Sequence, residues 1–213
     1  IAHGRGEAFD YLLGERTTDS AMQATRQALA TLQAAKKPVL SINGNVAALA
    51  CDEMLRLADA LSCAVEVNIF YRTPERMEAI LTHMNERKQA LGLEVPVLGH
   101  APDALIPGLK GPRAACHRDG ILESDAILVP LEDGDRCKAL AAMEKDVIVI
   151  DLNPLSRSAQ QATITIVDEL SRALTNMLEL AASEGRLEAD TTYDHVAVLG
   201  AGLKEMLGTF TGN

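Results

Sequence analysis

Residues 146–157 read DVIVIDLNPLSR. The first half is a β-branched apolar run without alternation, and it ends on a carboxylate, Asp151. A strand with one wet face alternates apolar and polar residues, so a run that is apolar throughout implies burial on both faces. Such strands belong to parallel sheets covered by helices on either side. The same reading holds for 125–130 (DAILVP) and largely for 38–42 (PVLSI), and 163–167 (TITIV) is another strand. Residues 64–70 (AVEVNIF) give a further strand, and 95–98 (VPVL) a short one whose proline suits a sheet edge.

Between these runs the apolar period changes to that of a helix. In 19–36, Met22, Leu29 and Leu32 recur at helical spacing, with Asp19 as the expected N-cap. Leu49, Met54, Leu57 and Leu61 mark one helix over 46–61. Thr73-Pro74-Glu75 opens another, with Thr as cap and Pro in the first turn, and Met77, Ile80, Leu81 and Met84 follow. Helices are also expected over 133–143, over 168–183 and around 196–207. Residues 99–124, punctuated by Gly99, Pro102, Pro107, Gly108, Gly111, Pro112 and Gly120, read as one long loop. The alternation of strand and helix predicts a Rossmann-like, doubly wound α/β fold, with a mostly parallel sheet and helices on both faces. It is expected to form a single domain over 1–213, with 178–213 as a helical tail.

With aromatics at 3% and no Trp, the core must be built from Ala, Val, Ile, Leu and Met. A formal net charge of -10 argues against a broad nucleic-acid-binding face. It leaves room for anionic small molecules held by local arginines. No apolar run approaches the roughly 20 residues that span a bilayer, and no signal peptide is visible. Cys51, Cys63, Cys116 and Cys137 form no CxxC pair, so they read as reduced thiols of a cytoplasmic protein. The chain opens on Ile1, already inside a motif-like stretch, and an N-terminal segment is expected to be missing.

In an open parallel sheet, ligands bind beyond the carboxyl ends of the strands. There the sequence places Asn43, Gly44 and Asn45, then Asn68, Tyr71 and Arg72, then Glu132, Asp133, Asp135 and Arg136, then Asp151, Asn153, Ser156 and Arg157, and finally Asp168. Loops are polar in any protein, so position alone favours a functional reading only modestly. The Asn43-Gly44-Asn45 turn suits an anion at a helix start, and is equally an ordinary tight turn. No Walker A motif or GxGxxG fingerprint is present. The carboxylates of 132–135 could join a Mg²⁺ site, though capping the next helix is the better reading for at least one. His3-Gly4-Arg5-Gly6-Glu7 sets a cation among glycines, which on spacing alone is a flexible terminal loop. In DLNPLSR a carboxylate, an amide, a hydroxyl and a guanidinium lie within one loop, a set able to serve a ribose, a base edge and phosphates; a Pro-containing turn with a solvated Arg is the plainer alternative. No Ser/His/Asp or Cys/His arrangement emerges, so covalent catalysis is not expected.

Several long blocks, in order, carry a more specific signal. They are 1–17 (IAHGRGEAFDYLLGERT), 38–49 (PVLSINGNVAAL), 66–76 (EVNIFYRTPER), 106–109 (IPGL) with Gly111-Pro112-Arg113, 129–136 (VPLEDGDR), 150–159 (IDLNPLSRSA) and 164–169 (ITIVDE). Together they resemble the archaeal 4-phosphopantoate–β-alanine ligases, or phosphopantothenate synthetases, over residues 1 to about 177. The resemblance implies a dimeric Rossmann-like enzyme of coenzyme A biosynthesis. It would condense 4-phosphopantoate with β-alanine, using ATP with Mg²⁺ and releasing AMP and pyrophosphate. It implies ATP contacts at Arg5, at Asp151, Leu152 and Asn153, at Ser156, Arg157 and Ser158, and at Asp168 with Glu169. Arg5 and Arg157 would face the triphosphate and act as the catalytic cations. Relatives commonly carry Asn where this chain has Glu169, and a carboxylate cannot donate a hydrogen bond as an amide does. A further ATP-contacting Arg of the family lies upstream of the sequence given. Arg72 and Arg113 are candidates for the phosphate of phosphopantoate, and Asn43 and Asn45 for substrate contacts. The competing readings are another adenine-nucleotide enzyme on a Rossmann-like sheet, and a nucleotide-sensing module without turnover.

Overall fold

A computed structural model describes the backbone of residues 3–211 and the side chains of residues 6–209. Eight strands are present among them: β1 (Pro38–Ile42), β2 (Ala64–Val67), β3 (Val97–Leu98), β4 (Ala104–Leu105), β5 (Ala115–Cys116), β6 (Ala126–Leu128), β7 (Asp146–Ile150) and β8 (Ile164–Ile166). Six form one sheet in the order β3-β2-β1-β6-β7-β8, and every pair is parallel. Counted within that sheet the order is 3-2-1-4-5-6, which is the Rossmann order. The chain therefore reverses its direction of winding between β1 and β6, and a crevice opens there at the carboxyl edge.

The strand residues show why the apolar runs do not alternate. Val147 and Val149 enter one core with Val39, Ile127 and Leu140. Ile148 and Ile150 enter the other with Leu40, Ile42, Val65 and Leu174. Successive side chains of a strand point to opposite faces, so each run serves two cores at once. The larger core is covered by α2 (Asp19–Ala34), α4 (Cys51–Ala60), α5 (Pro74–Leu91) and α8 (Leu170–Glu184). The smaller lies under α6 (Gly134–Ala141) and the 104–122 segment, with α7 (Arg157–Gln161) packed on α6. The helices α1 (His3–Leu13) and α9 (His195–Thr211) pack against each other. None of the helices described is long and apolar enough to cross a membrane.

Several local expectations are corrected. The HGRGE stretch is not a loop: α1 begins at His3, and Leu13 packs on Val167 and Met206 with Phe9, Leu12 and Leu152 around them. The helix expected over 46–61 is two helices, α3 (Gly44–Leu49) and α4, broken at Ala50, whose φ of -147° is not helical. The cap of α2 is Thr18 and not Asp19; its hydroxyl accepts from the Ala21 N–H at 3.2 Å. Thr18 is buried, so Thr18→Ala is expected to lower stability by about 1 kcal/mol, read as a drop in Tm. Residues 99–124 are not structureless. They hold the antiparallel β4–β5 pair, a 3₁₀ turn (Pro112–Ala114) and a wider helical turn (Arg118–Leu122). The edge position of β3, the Thr73 cap and the capping role of Asp133 all stand as expected.

Candidate active site

The carboxyl edge of β1, β6, β7 and β8, with α1 above it, encloses a cavity of about 800 Å³. Its floor is the loop after β7. Asp151 accepts from the Asn153 N–H at 2.9 Å and from the Ser156 hydroxyl at 2.5 Å. Asn153 in turn accepts from the Leu155 N–H at 3.0 Å, and Ser156 from the Ala159 N–H at 3.0 Å, which caps α7. The DLNPLS segment is thus folded on its own side chains. Burial pushes the Asp151 carboxyl above the usual carboxylate range, against the lowering effect of its two hydrogen bonds.

One wall comes from the end of β8. Asp168, fully buried, accepts from the Thr17 hydroxyl at 2.6 Å, the Glu169 N–H at 2.8 Å and Arg172 Nε at 2.8 Å. Arg172 also pairs with Asp10 at 2.5 Å, which fastens α1 over the cavity. Glu169 caps α8, its carboxylate accepting from the Arg172 N–H at 3.0 Å. Six carboxylates line the cavity: Glu7, Asp10, Glu132, Asp151, Asp168 and Glu169. No lysine or arginine side chain among the described residues does. Arg5, the expected cation, has its side chain outside the described residues.

A second cavity of about 500 Å³ adjoins the first, and Leu131 and Glu132 line both. Leu131 holds a left-handed φ of 52° at that shared wall, a conformation that costs energy for a branched side chain. Glu132 is clamped by two guanidiniums: Arg113 at one oxygen and Arg136, at 2.5 Å, at the other. Arg136 also donates to the Ser41 hydroxyl at 3.1 Å, and Arg113 to Asp133 at 2.7 Å. Phe70, Lys110, Arg113, Asp133 and Asp135 line this chamber.

The structure thus brings Asn45, Asp151, Leu152, Asn153, Ser156, Asp168 and Glu169 together around the first cavity, and Arg113 onto the second. Other candidates are placed elsewhere. Asn43 is buried and committed: its amide oxygen caps α3 through the Asn45 and Val46 N–H groups, and its NH₂ donates to the Pro130 and Leu131 carbonyls. Ser158 is buried and donates to the Glu132 carbonyl at 2.6 Å, joining α7 to the loop after β6. Arg72 donates to the Gly99 carbonyl at 2.6 Å and lines neither cavity. The Arg157 side chain is 73% exposed, pairs with Asp135 at 3.0 Å, and lines neither. Sequence reasoning missed Phe9, Asp10 and Arg172. The signal for Arg172 was its place four residues after Asp168 on an expected helix, where opposite charges meet.

Among the described residues no group of three or more His, Cys, Asp or Glu side chains is placed to hold a metal ion. A sequence model described as phosphopantothenate/pantothenate synthetase matches residues 20–204. A protein of Thermococcus onnurineus, named 4-phosphopantoate–β-alanine ligase, is 52% identical over 181 residues, covering 85% of this chain and 68% of its own. One of the same name from Methanosarcina mazei is 48% identical over 212 residues, covering 97% and 81%. A third, from Methanospirillum hungatei, is 51% identical over 176 residues, covering 83% and 70%. With a family match over most of its length and relatives at about half identity, the chain belongs to the phosphopantothenate/pantothenate synthetase family.

Proposed function

We propose that this chain condenses 4-phosphopantoate with β-alanine to 4′-phosphopantothenate in an ATP-dependent, AMP-forming reaction of coenzyme A biosynthesis. The observation that carries the reading is the pair of cavities meeting at Leu131 and Glu132 on the switch-point edge of the sheet. A ligase of this kind must hold a nucleotide and an acid so that the acid's carboxylate reaches the α-phosphate. ATP takes the larger cavity. Asp151, Leu152, Asn153 and Ser156 contact its nucleoside end, where carboxylate and amide groups suit ribose hydroxyls and a base edge. Asp168 and Glu169 bound the same cavity, although the Asp168 oxygens are already engaged. The acid takes the smaller cavity, with Arg113 toward its phosphate.

The triphosphate requires cations that the described lining lacks. Arg5 and Arg157 supply them in this reading. The Arg157–Asp135 pair is solvent-exposed, and such pairs contribute at most about 1 kcal/mol, so the guanidinium is easily redirected to a phosphate. Magnesium enters with the nucleotide as part of the substrate. The cavity carboxylates do not fit a protein-built cage for it, because Asp151, Asp168 and Glu132 are each engaged by hydrogen bonds or ion pairs. The enzyme works in the cytoplasm as a homodimer in this reading.

The carboxylate of the acid attacks the α-phosphorus, the bond to the bridging oxygen breaks, and pyrophosphate leaves. The amine of β-alanine, after losing a proton, attacks the acyl carbon and AMP leaves. Labelled pyrophosphate is therefore expected to exchange into ATP when phosphopantoate is present and β-alanine absent. Oxygen label from the acid's carboxylate is expected in AMP. ADP as product, with the label in inorganic phosphate, overturns the route. Nucleotide binding without AMP release, with phosphopantoate and β-alanine both present, favours a sensing module.

A further inference from the structure

Two buried side chains, Glu66 of β2 and Asn68 just past its end, line neither cavity, yet they grip the segment that carries Arg113. Glu66 is 1% exposed, and its two oxygens accept from the His117 N–H at 2.9 Å and the Ile121 N–H at 2.8 Å. Asn68, two residues on and on the same face, is fully buried. Its NH₂ donates to the Arg113 carbonyl at 3.2 Å and the Ala115 carbonyl at 2.9 Å. The 113–121 backbone is thus held at four points by these two side chains, with Asp103 on the Arg118 N–H and Ser124 on the Ile121 carbonyl besides. The β4–β5 pair contributes only a two-residue ladder to this segment. Gly120 completes the fit: a Cβ there would lie 2.1 Å from a Glu66 carboxylate oxygen.

The charge on Glu66 is chemically specific. Two N–H groups point at it, and a negatively charged carboxylate accepts at both oxygens where an amide of the same shape accepts at one. Burial opposes that charge and raises the Glu66 carboxyl above its ordinary range. A salt-bridged or apolar residue would be the cheaper way to fill a strand interior. What the grip secures is one end of Arg113, whose guanidinium reaches Glu132 on the wall between the cavities and Asp133 beside it.

We propose that Glu66 and Asn68 are positioning residues for the acid substrate, acting through the 113–121 backbone to place the Arg113 guanidinium in the second chamber. The proposal rests on the reading of that chamber given above. A purely structural role would lower stability or shift both substrates alike. A positioning role splits them.

The test is steady-state AMP release by the wild-type protein, Glu66→Gln, Asn68→Asp, Arg113→Ala and the double variants with Arg113→Ala. Glu66→Gln keeps the shape and sets an NH₂ against one N–H. Asn68→Asp keeps the shape and sets a carboxylate against two carbonyls. Each is expected to raise the KM for phosphopantoate about tenfold or more, in line with losing a hydrogen bond to a charged or buried group. The KM for ATP should stay within about twofold, and so should every effect of Glu66→Gln once Arg113 is alanine, because effects acting through one group do not add. Equal changes in both KM values, or a Glu66→Gln effect undiminished without Arg113, overturns the proposal. If Glu66→Gln does not fold, as judged by thermal unfolding, Asn68→Asp carries the same cycle with the same criteria. A wild-type protein that makes no AMP from ATP with phosphopantoate and β-alanine both present removes the functional reading itself. An active wild-type with additive variants removes only this inference.

Discussion

Glu132→Ala is expected to lower folding stability by about 3–5 kcal/mol, the cost of breaking a buried ion pair from one side. The Glu132 carboxylate is 1% exposed, and the two guanidiniums on it come from Arg136, fully buried, and Arg113, nine-tenths buried. Removing the carboxylate leaves two buried cations side by side. Asp133 then compensates Arg113, and only the Ser41 hydroxyl remains for Arg136. Arg136 cannot shed its proton to escape, because a guanidinium stays charged in proteins. Glu132→Gln should fall between the wild-type and alanine proteins, since it keeps the volume and one acceptor but loses the charge. Adding Arg136→Met to Glu132→Ala should recover part of the loss by removing the uncompensated cation. Urea unfolding at neutral pH measures all three. A loss below about 1 kcal/mol for Glu132→Ala contradicts the assignment of this pair as a buried structural clamp.

That clamp also shows where sequence reading runs out. The sheet was legible because its evidence is local: Val147 to Ile150 are apolar for two cores, and a short β-branched run closed by a Pro-containing turn suits a strand better than a helix. The candidate edge was legible for the same reason, since topology alone places Asp151 and Asp168 beyond strand ends. Which polar groups there remain free was not legible. Asn43 and Ser158 both read as binding groups, and each is engaged by a partner from 26 to 88 residues away. The break at Ala50 carries no Gly or Pro to mark it. In contrast, 99–124 carries so many that it reads as one long loop. Its order comes from Glu66, a carboxylate inside an apolar strand, and that oddity was the available signal. At the N-terminus the glycines of HGRGE pointed to a loop, while the deciding groups were Phe9, Leu12 and Leu13 further along, which bury against Val167 and Met206.

Gly134→Ala is expected to damage the first cavity, the one proposed for ATP, without touching a residue that lines it. Gly134 opens α6 directly after its cap Asp133, and a Cβ there would lie 2.4 Å from the Arg157 Cβ and 3.2 Å from its backbone carbonyl carbon. Rotating a side chain cannot relieve this clash, because the Cβ moves only with the backbone. The start of α7 must therefore retreat from α6. Two contacts set within a residue of that point are then strained: Ser158 to the Glu132 carbonyl at 2.6 Å, and Ser156 to Asp151 at 2.5 Å. Both fix the loop that floors the first cavity. The expected stability loss is about 1–3 kcal/mol, as for other overpacked sites. The KM for ATP is expected to rise about tenfold, equivalent to roughly 1.4 kcal/mol of lost positioning. The KM for phosphopantoate should change less. Gly200→Ala in α9 is the matched control, since a Cβ there meets nothing within 4 Å. In a helix interior that change should stabilise by up to about 1 kcal/mol. Opposite signs for the two substitutions separate steric contact from helix propensity. If Gly134→Ala also stabilises and leaves the KM for ATP unchanged, α6 and α7 are not locked together, and the loop after β7 is held by its own turns alone.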